Sequence, residues 1–83
     1  MIERENLIKL FEIYNSLLTD KQKLYFKDYY FEDLSLSEIA ENYCVSKAIV
    51  GKTINKCEDK LRKLESEIKA LEMKNIIEKN ELN

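Results

Sequence analysis

The stretch S-L-S-E-I-A-E-N-Y-C-V-S, residues 35–46, decides how this chain folds. It opens with a capping box, since Ser35 is followed three residues later by Glu38, and this pairing is typical of a helix start. A helix over residues 36–42 should end in a tight connection, because the serine that closes the stretch is itself a helix-capping residue. Ala40 is small enough to let two helices touch at close range. The stretch therefore predicts a helix-turn-helix.

Helical signals continue on both sides of this stretch. Apolar residues at spacings of three and four predict a helix over residues 3–18. A second capping box, T-D-K-Q beginning at Thr19, predicts another over residues 20–31. After the connection, a helix is predicted over residues 47–79, with Gly51 as its single glycine. We therefore expect an all-α fold, a helical bundle with a helix-turn-helix and a long C-terminal helix.

The composition restricts the function. The 83 residues suffice for one domain, and 14 basic against 16 acidic residues leave a net charge of −2. The sequence has no His, which excludes Ser–His and Cys–His nucleophiles and His-ligated metal sites. One Gly and no Pro exclude a glycine-rich phosphate loop. We expect a chain that is not an enzyme and has no catalytic residues, no metal and no cofactor.

The cysteines and the hydropathy pattern favour a cytoplasmic protein. Cys44 and Cys57 lack the C-x-x-C spacing of zinc and redox motifs, and they occupy apolar helical positions. They are predicted to be small core residues in a reducing compartment, with an intermolecular disulfide or a sensor thiol as the alternative. No apolar run approaches the length of about 18 residues that a membrane span needs. The first residues lack the apolar segment of a signal peptide.

Aromatic residues concentrate in the second predicted helix. Five of the eight in the chain fall within residues 20–31, and they point in several directions at about 100° per residue. This arrangement predicts a core built from large side chains. The alternative is a platform on which the bases of single-stranded RNA stack, but such a platform presents its rings on one side.

Four short motifs carry a resemblance to a known family. L-L-T-D-K-Q at residues 17–22, Y-Y at 29–30, S-L-S-E-I-A-E at 35–41 and V-S at 45–46 resemble the YlxM family of small bacterial helix-turn-helix proteins. The same region is similar, more loosely, to region 4 of sigma factors. The resemblance implies an all-helical, dimeric, cytoplasmic protein that binds DNA or acts as a regulator. It also implies an association with the signal recognition particle pathway.

The fourth predicted helix concentrates positive charge. Residues 46–64 hold six basic and two acidic residues, a net charge of +4, whereas residues 31–45 hold four acidic residues and no basic one. Lys52, Lys56, Lys60 and Lys63 lie within roughly 80° of one another on a helical wheel, as contact with phosphates requires. The predicted nucleic-acid-binding residues are Ser46, Lys47, Lys52, Asn55, Lys56, Lys60 and Lys63.

The predicted helix offers fewer side chains for recognising bases than for contacting phosphates. The exposed start of this helix contains no Arg or Gln, the side chains that bind base edges with two hydrogen bonds. The acidic preceding helix would also repel DNA. We therefore keep two hypotheses: a helix-turn-helix that binds DNA, or RNA, mainly through phosphates, and a protein–protein adaptor built on the same scaffold.

A heptad pattern predicts a dimer. Apolar residues of the long helix step by four and three over three heptads, beginning at Val50. The helix-turn-helix is placed at residues 35–60 of a single domain spanning residues 1–83, and the remaining helix at 61–79 is predicted to form a homodimer. The alternative is a monomer in which the first helix folds back along it. The predicted dimer residues are Leu64, Ile68 and Leu71.

Overall fold

The computed structural model describes residues 2–69, and this part of the chain is entirely helical apart from short connections. Four α-helices and one short 3-10 helix, Asn15–Leu17, account for it, and no strand occurs within the described residues. The predicted all-α fold is confirmed. The α-helices are α1 Ile2–Tyr14, α2 Asp20–Tyr30, α3 Leu36–Tyr43 and α4 Lys47–Ile68.

Side-chain caps fix where α2, α3 and α4 begin. The Thr19 hydroxyl accepts a hydrogen bond from the Gln22 N–H at 3.1 Å, and the Gln22 side chain accepts one from the Thr19 N–H at 3.0 Å. Ser35 and Glu38 make the same reciprocal pair at 3.1 and 3.0 Å. These bonds hold the pKa of the Glu38 carboxyl below its usual value. Both predicted capping boxes are therefore confirmed.

Two helix ends differ from the prediction. The first helix is α-helical only to Tyr14, and its last turn tightens into the 3-10 helix. The prediction of an unbroken helix over residues 47–79 is wrong at Lys69, which adopts a left-handed backbone with φ 57° and ends α4. A left-handed residue interrupts a right-handed helix, and no glycine or proline announces this one. Residues 70–83 lie outside the described part.

The core forms where α4 packs against α1, α2 and α3. Its centre is aromatic: the Phe26 ring stacks on Phe11 at 4.5 Å between centroids and on Tyr30 at 4.3 Å. Tyr25 lies buried beside them. The prediction of an aromatic core is confirmed, and these buried rings offer no platform for stacking bases.

Leu17, in the 3-10 helix, and Cys44, in the connection after α3, are both exposed. The prediction that both cysteines are core residues is therefore correct for Cys57 and wrong for Cys44. The prediction fails at Cys44 because this residue follows the end of α3, so the helical period does not extend to it.

No helix within residues 2–69 combines the length and the apolar character needed to cross a membrane.

Candidate nucleic-acid interface

The connection between α3 and α4 is a left-handed turn that sets the direction of α4. Cys44 takes φ 55° and its N–H bonds to the carbonyls of Ala40 and Glu41. The Val45 N–H returns to the Ala40 carbonyl at 3.0 Å, which completes a Schellman-type helix end. Glycine usually occupies such a position, since a side chain there costs roughly 1–2 kcal/mol. The turn forms with cysteine, so the helix-turn-helix geometry survives this departure.

Beyond the turn, α4 has two unlike flanks. The buried flank consists of Val50, Ile54, Cys57 and Leu61, each at most 3% exposed. Burial raises the pKa of the Cys57 thiol to about 12, so this flank contains no charge at neutral pH. The predicted apolar face is confirmed over these four positions.

The other flank, here called the lysine face, consists of Lys52, Lys56, Lys60 and Lys63. Three of these side chains are exposed and Lys60 is half-buried. They occupy one side of α4 because residues three and four apart share a helix face. All four ammonium groups therefore belong to one side of the helix whose opposite flank forms the core.

An open groove of about 750 Å³ runs along the start of α4. Its lining includes four of the predicted site residues, Lys47, Lys52, Asn55 and Lys56, so the fold brings these together. Ser46 lies at the edge, where its hydroxyl accepts a hydrogen bond from the Ile49 N–H at 3.1 Å and caps α4. The groove also contains one carboxylate, Asp59. Leu36, Ala48 and Gly51 complete its lining.

Lys60 and Lys63 do not line this groove. They lie farther along α4, past the residues that enclose it. At 1.5 Å per residue, the distance along the helix axis from Lys52 to Lys63 is about 16 Å. The lysine face is therefore a strip that begins at the groove and continues beyond it, longer than the enclosed part of the site.

The ion pairs found within residues 2–69 involve arginines and none of these lysines. Arg62 pairs with Glu3 and, at 3.2 Å, with Asp59, and the hydrogen bond that it donates to Glu3 raises the pKa of its guanidinium. Arg4 pairs with Asp33 at 2.9 Å. The lysine face therefore makes no ion pair within residues 2–69, although the exposed Glu67 shares its side of α4.

Two further carboxylates of α4 turn away from the lysine face toward tyrosines of the core. The Tyr30 hydroxyl donates to Glu58, and the Tyr14 hydroxyl donates to Glu65 at 2.9 Å. Burial, followed by the bond to Glu58, raises the pKa of Tyr30. Glu58 is thus half-buried and engaged in the fold, and it is not a freely solvated side chain. A buried tyrosine needs a partner for its hydroxyl, and this requirement was the available signal.

The acidic side of the molecule lies on α3 and the residues before it. Glu38 and Glu41 are exposed on α3. The Tyr43 hydroxyl donates to Asp28 at 2.9 Å, and this bond raises the pKa of Tyr43. The negative charge of this region is therefore only partly absorbed by internal contacts, and it adjoins the start of α4.

The dimer residues predicted from the heptad pattern have different environments. Leu64 is half-buried and packs against the core. Ile68 is 51% exposed at the end of α4. Leu71 lies outside the described residues. The described chain therefore covers the apolar stripe as far as Leu64 and leaves its next member open to solvent.

Comparison with known proteins now identifies the family. The family model UPF0122, described as “Putative helix-turn-helix protein, YlxM / p13 like”, matches residues 1–83. The chain belongs to this family. The expected resemblance to YlxM proteins is thus confirmed, and so is the helix-turn-helix. UPF0122 is described by this motif and not by an enzymatic reaction. Within residues 2–69, no cluster of Cys, Asp and Glu side chains is placed to hold a metal ion.

Individual UPF0122 proteins support the assignment. The chain is 52% identical over 62 residues to a UPF0122 protein of Mycoplasma capricolum, with 75% of this chain and 55% of the relative covered. Identity to a UPF0122 protein of Shouchella clausii is 46% over 63 residues, covering 76% and 58%. For one of Listeria welshimeri it is 42% over 69 residues, covering 82% and 63%. The chain therefore spans little more than half the length of these relatives.

Proposed function

We propose that this chain is a helix-turn-helix regulatory protein that binds DNA mainly through phosphate contacts made by the lysine face of α4. The helix-turn-helix unit is assigned to residues 35–60. One observation supports the proposal most: four lysines share one side of α4, and within residues 2–69 none of them pairs with a carboxylate. A duplex supplies the complementary charge, since each phosphate bound by a lysine releases a condensed counterion.

The acidic residues of α3 restrict which surface of the protein DNA can approach. Duplex DNA would approach α4 from the lysine face and avoid Glu38 and Glu41, which repel phosphates. The helix-turn-helix arrangement generally places its second helix in the major groove, with the N-terminal turn nearest the bases. Lys47 and Asn55, which line the protein's own groove at the start of α4, would then lie beside the duplex. Ser46, which caps α4, would orient its first turn.

A charge-reversal pair tests the proposal. Lys52→Glu/Lys56→Glu changes two exposed lysines in the groove, and Lys21→Glu/Lys27→Glu on α2 makes the same change of net charge elsewhere. Fluorescence anisotropy with duplex DNA at several salt concentrations should show lost affinity for the first pair only. In a plot of the log of the binding constant against the log of the salt concentration, the negative slope should become shallower by about 1.8, or about 0.9 per lost phosphate contact.

Equal losses for both pairs would mean that net charge alone attracts DNA, and the lysine face would have no special role. Absence of binding by the wild type at low salt would reject nucleic acid as the ligand. RNA of the signal recognition particle is the second nucleic acid in the same titration, because the resemblance to YlxM proteins implies a role in that pathway.

The second part of the proposal is a homodimer formed by the extension at residues 61–79. Ile68 continues the apolar stripe of α4 past the point where α1 covers it, and it is 51% exposed. Leu64 would lie at the edge of the interface. Leu71, also predicted there, lies outside the described residues. Light scattering at micromolar concentration should give twice the monomer mass, and Ile68→Glu should give the monomer. A wild-type monomer would favour α1 as the sole cover of α4.

A protein–protein adaptor is the second candidate. The observation that favours it is the exposure of two large apolar residues that share one side of α2 and its C-cap: Leu24 is 47% and Phe31 45% exposed. Exposed large apolar residues that share one side of a protein can mark a surface that binds proteins. This candidate predicts that Leu24→Ser abolishes partner binding while Lys52→Glu/Lys56→Glu has no effect.

A further inference from the structure

Ile49 is an exposed isoleucine in the first turns of α4, and the core does not account for it. It is 53% exposed, and it is absent from the apolar residues that pack against the core, which include its neighbours Leu36 and Val45. Its own backbone is fully engaged, since its N–H bonds to Ser46 and its carbonyl accepts from Thr53 at 2.8 Å. The side chain therefore contributes little to folding and faces water.

Its position relates it to the lysine face. On an α-helix, Ile49 lies within about 20° of the directions of both Lys56 and Lys60, so it shares their side of α4. It precedes Lys56 by about 10 Å along the helix axis. The same side of α4 thus begins with an apolar side chain and continues with ammonium groups.

We propose that Ile49 contacts the C5-methyl group of thymine when α4 lies in the major groove of DNA. This inference rests on the proposed DNA binding and specifies which base it favours. The major groove offers one apolar group, the thymine methyl, and apolar side chains recognise it by contact. The exposed Ala48 beside Ile49 adds a second methyl at the same end of the helix.

The charge around Ile49 selects nucleic acid over an apolar protein partner. A protein surface that covered Ile49 would also approach Lys52, three residues on, and Lys56, two turns on, and it would need carboxylates in register with them. A duplex presents phosphates on both sides of a groove that contains the methyl group, so both requirements are met together. RNA fits less well, because uracil lacks the methyl and the major groove of A-form RNA is deep and narrow.

The test compares two alternating duplexes of equal length, one of dA and dT and one of dA and dU, which differ only in the methyl group. Wild-type protein should bind the dT duplex at least about fourfold more tightly, the value of burying one methyl group. Ile49→Ala should remove this preference, and Ile49→Val should keep most of it. Leu24→Ala, which removes an equally exposed side chain from α2, should leave the preference unchanged.

The outcomes separate this inference from the DNA binding on which it rests. Equal wild-type affinity for both duplexes, with binding still lost in Lys52→Glu/Lys56→Glu, would overturn the methyl contact and leave phosphate binding intact. A dT preference that persists in Ile49→Ala would also overturn it, because the preference would then come from duplex shape. No binding to either duplex at low salt would reject DNA binding itself, and the methyl contact with it. Melting curves of each variant confirm that it is folded.

Discussion

The two flanks of α4 differ in their relation to the rest of the chain: other helices cover the buried flank, whereas the lysine face is left open. The buried flank, from Val50 to Leu61, is at most 3% exposed, and its complement is supplied by α1, α2 and α3. The lysine face makes no ion pair with the described residues, whose ion pairs involve Arg4 and Arg62. The first flank is therefore explained by folding, whereas the second is solvated and free to meet a ligand.

This difference indicates where substitutions should act. Replacement of a buried-flank residue leaves a cavity in a close-packed core and lowers stability. Replacement of an exposed lysine removes a side chain that is already in water, so it changes the free energy of unfolding by less than about 0.5 kcal/mol. If the two flanks are independent, their variants should affect separate observables, stability on one side and ligand affinity on the other.

The largest effect on stability is expected for Leu61→Ala. Leu61 is completely buried where α4 meets its neighbours. Loss of its side chain should lower the free energy of unfolding by about 2–5 kcal/mol, through lost transfer energy and the cavity that remains. Urea denaturation followed by circular dichroism measures it. Lys56→Ala, in the same helix, is the matched control and should stay within about 0.5 kcal/mol of wild type.

An equal loss of stability in Leu61→Ala and Lys56→Ala would contradict the difference between the two flanks. It would mean that the aliphatic part of the lysine side chain also packs against the protein. The denaturant slope should be equal in all three proteins, because a changed slope would indicate an altered unfolded or native ensemble rather than a lost contact.

A second effect should appear at alkaline pH, where the buried flank has a thiol. The pKa of Cys57 is raised to about 12 by burial, from an ordinary value of 9.0. Between these values the folded state retains a proton that the unfolded state releases, so stability should be complete below pH 9 and decline as pH rises toward 12. Cys57→Ala should lack this component of the decline. Tyr30 titrates in both proteins and cancels in the difference.

The two cysteines provide an independent check on the same assignment. Cys44 is exposed in the turn and should react with a thiol reagent in the native protein, whereas Cys57 should react only after unfolding. Two rapidly reacting thiols at neutral pH would contradict the burial of this flank, and so would parallel pH profiles for wild type and Cys57→Ala.

Much of the fold was predictable from local chemistry. Thr19 and Ser35 each stand three residues before a Gln or Glu, and this spacing alone specifies two helix starts. The buried flank follows from the heptad spacing that begins at Val50. Both signals are short-range, so they need no knowledge of how the helices pack. The lysine face was predictable in the same way, because its members share a helical period.

The remaining features depend on tertiary contacts that have no short-range signature. The bond from Tyr30 to Glu58 joins residues on α2 and α4, and Arg62 reaches Glu3 across the bundle. The left-handed residues Cys44 and Lys69 are likewise not marked by glycine. The sequence alone therefore located the lysine face but did not show that the carboxylates around it were already engaged by an arginine and by tyrosines.

The smallest predicted change concerns Gly51, which lies between the two flanks and lines the groove. A Cβ atom there would meet Leu36 Cδ1 at 3.6 Å, an ordinary contact, so the fold has room for alanine. Gly51→Ala should therefore raise the free energy of unfolding by about 1 kcal/mol, the difference in helix propensity, as a urea titration would measure. Ala48→Gly, in the same helix, is the mirror control and should lower it by a similar amount. Destabilisation by Gly51→Ala would mean that the helix packs more closely than this distance indicates. If the stabilised protein also binds DNA more weakly, then the missing side chain at position 51 serves the ligand, because the fold itself gains from filling it.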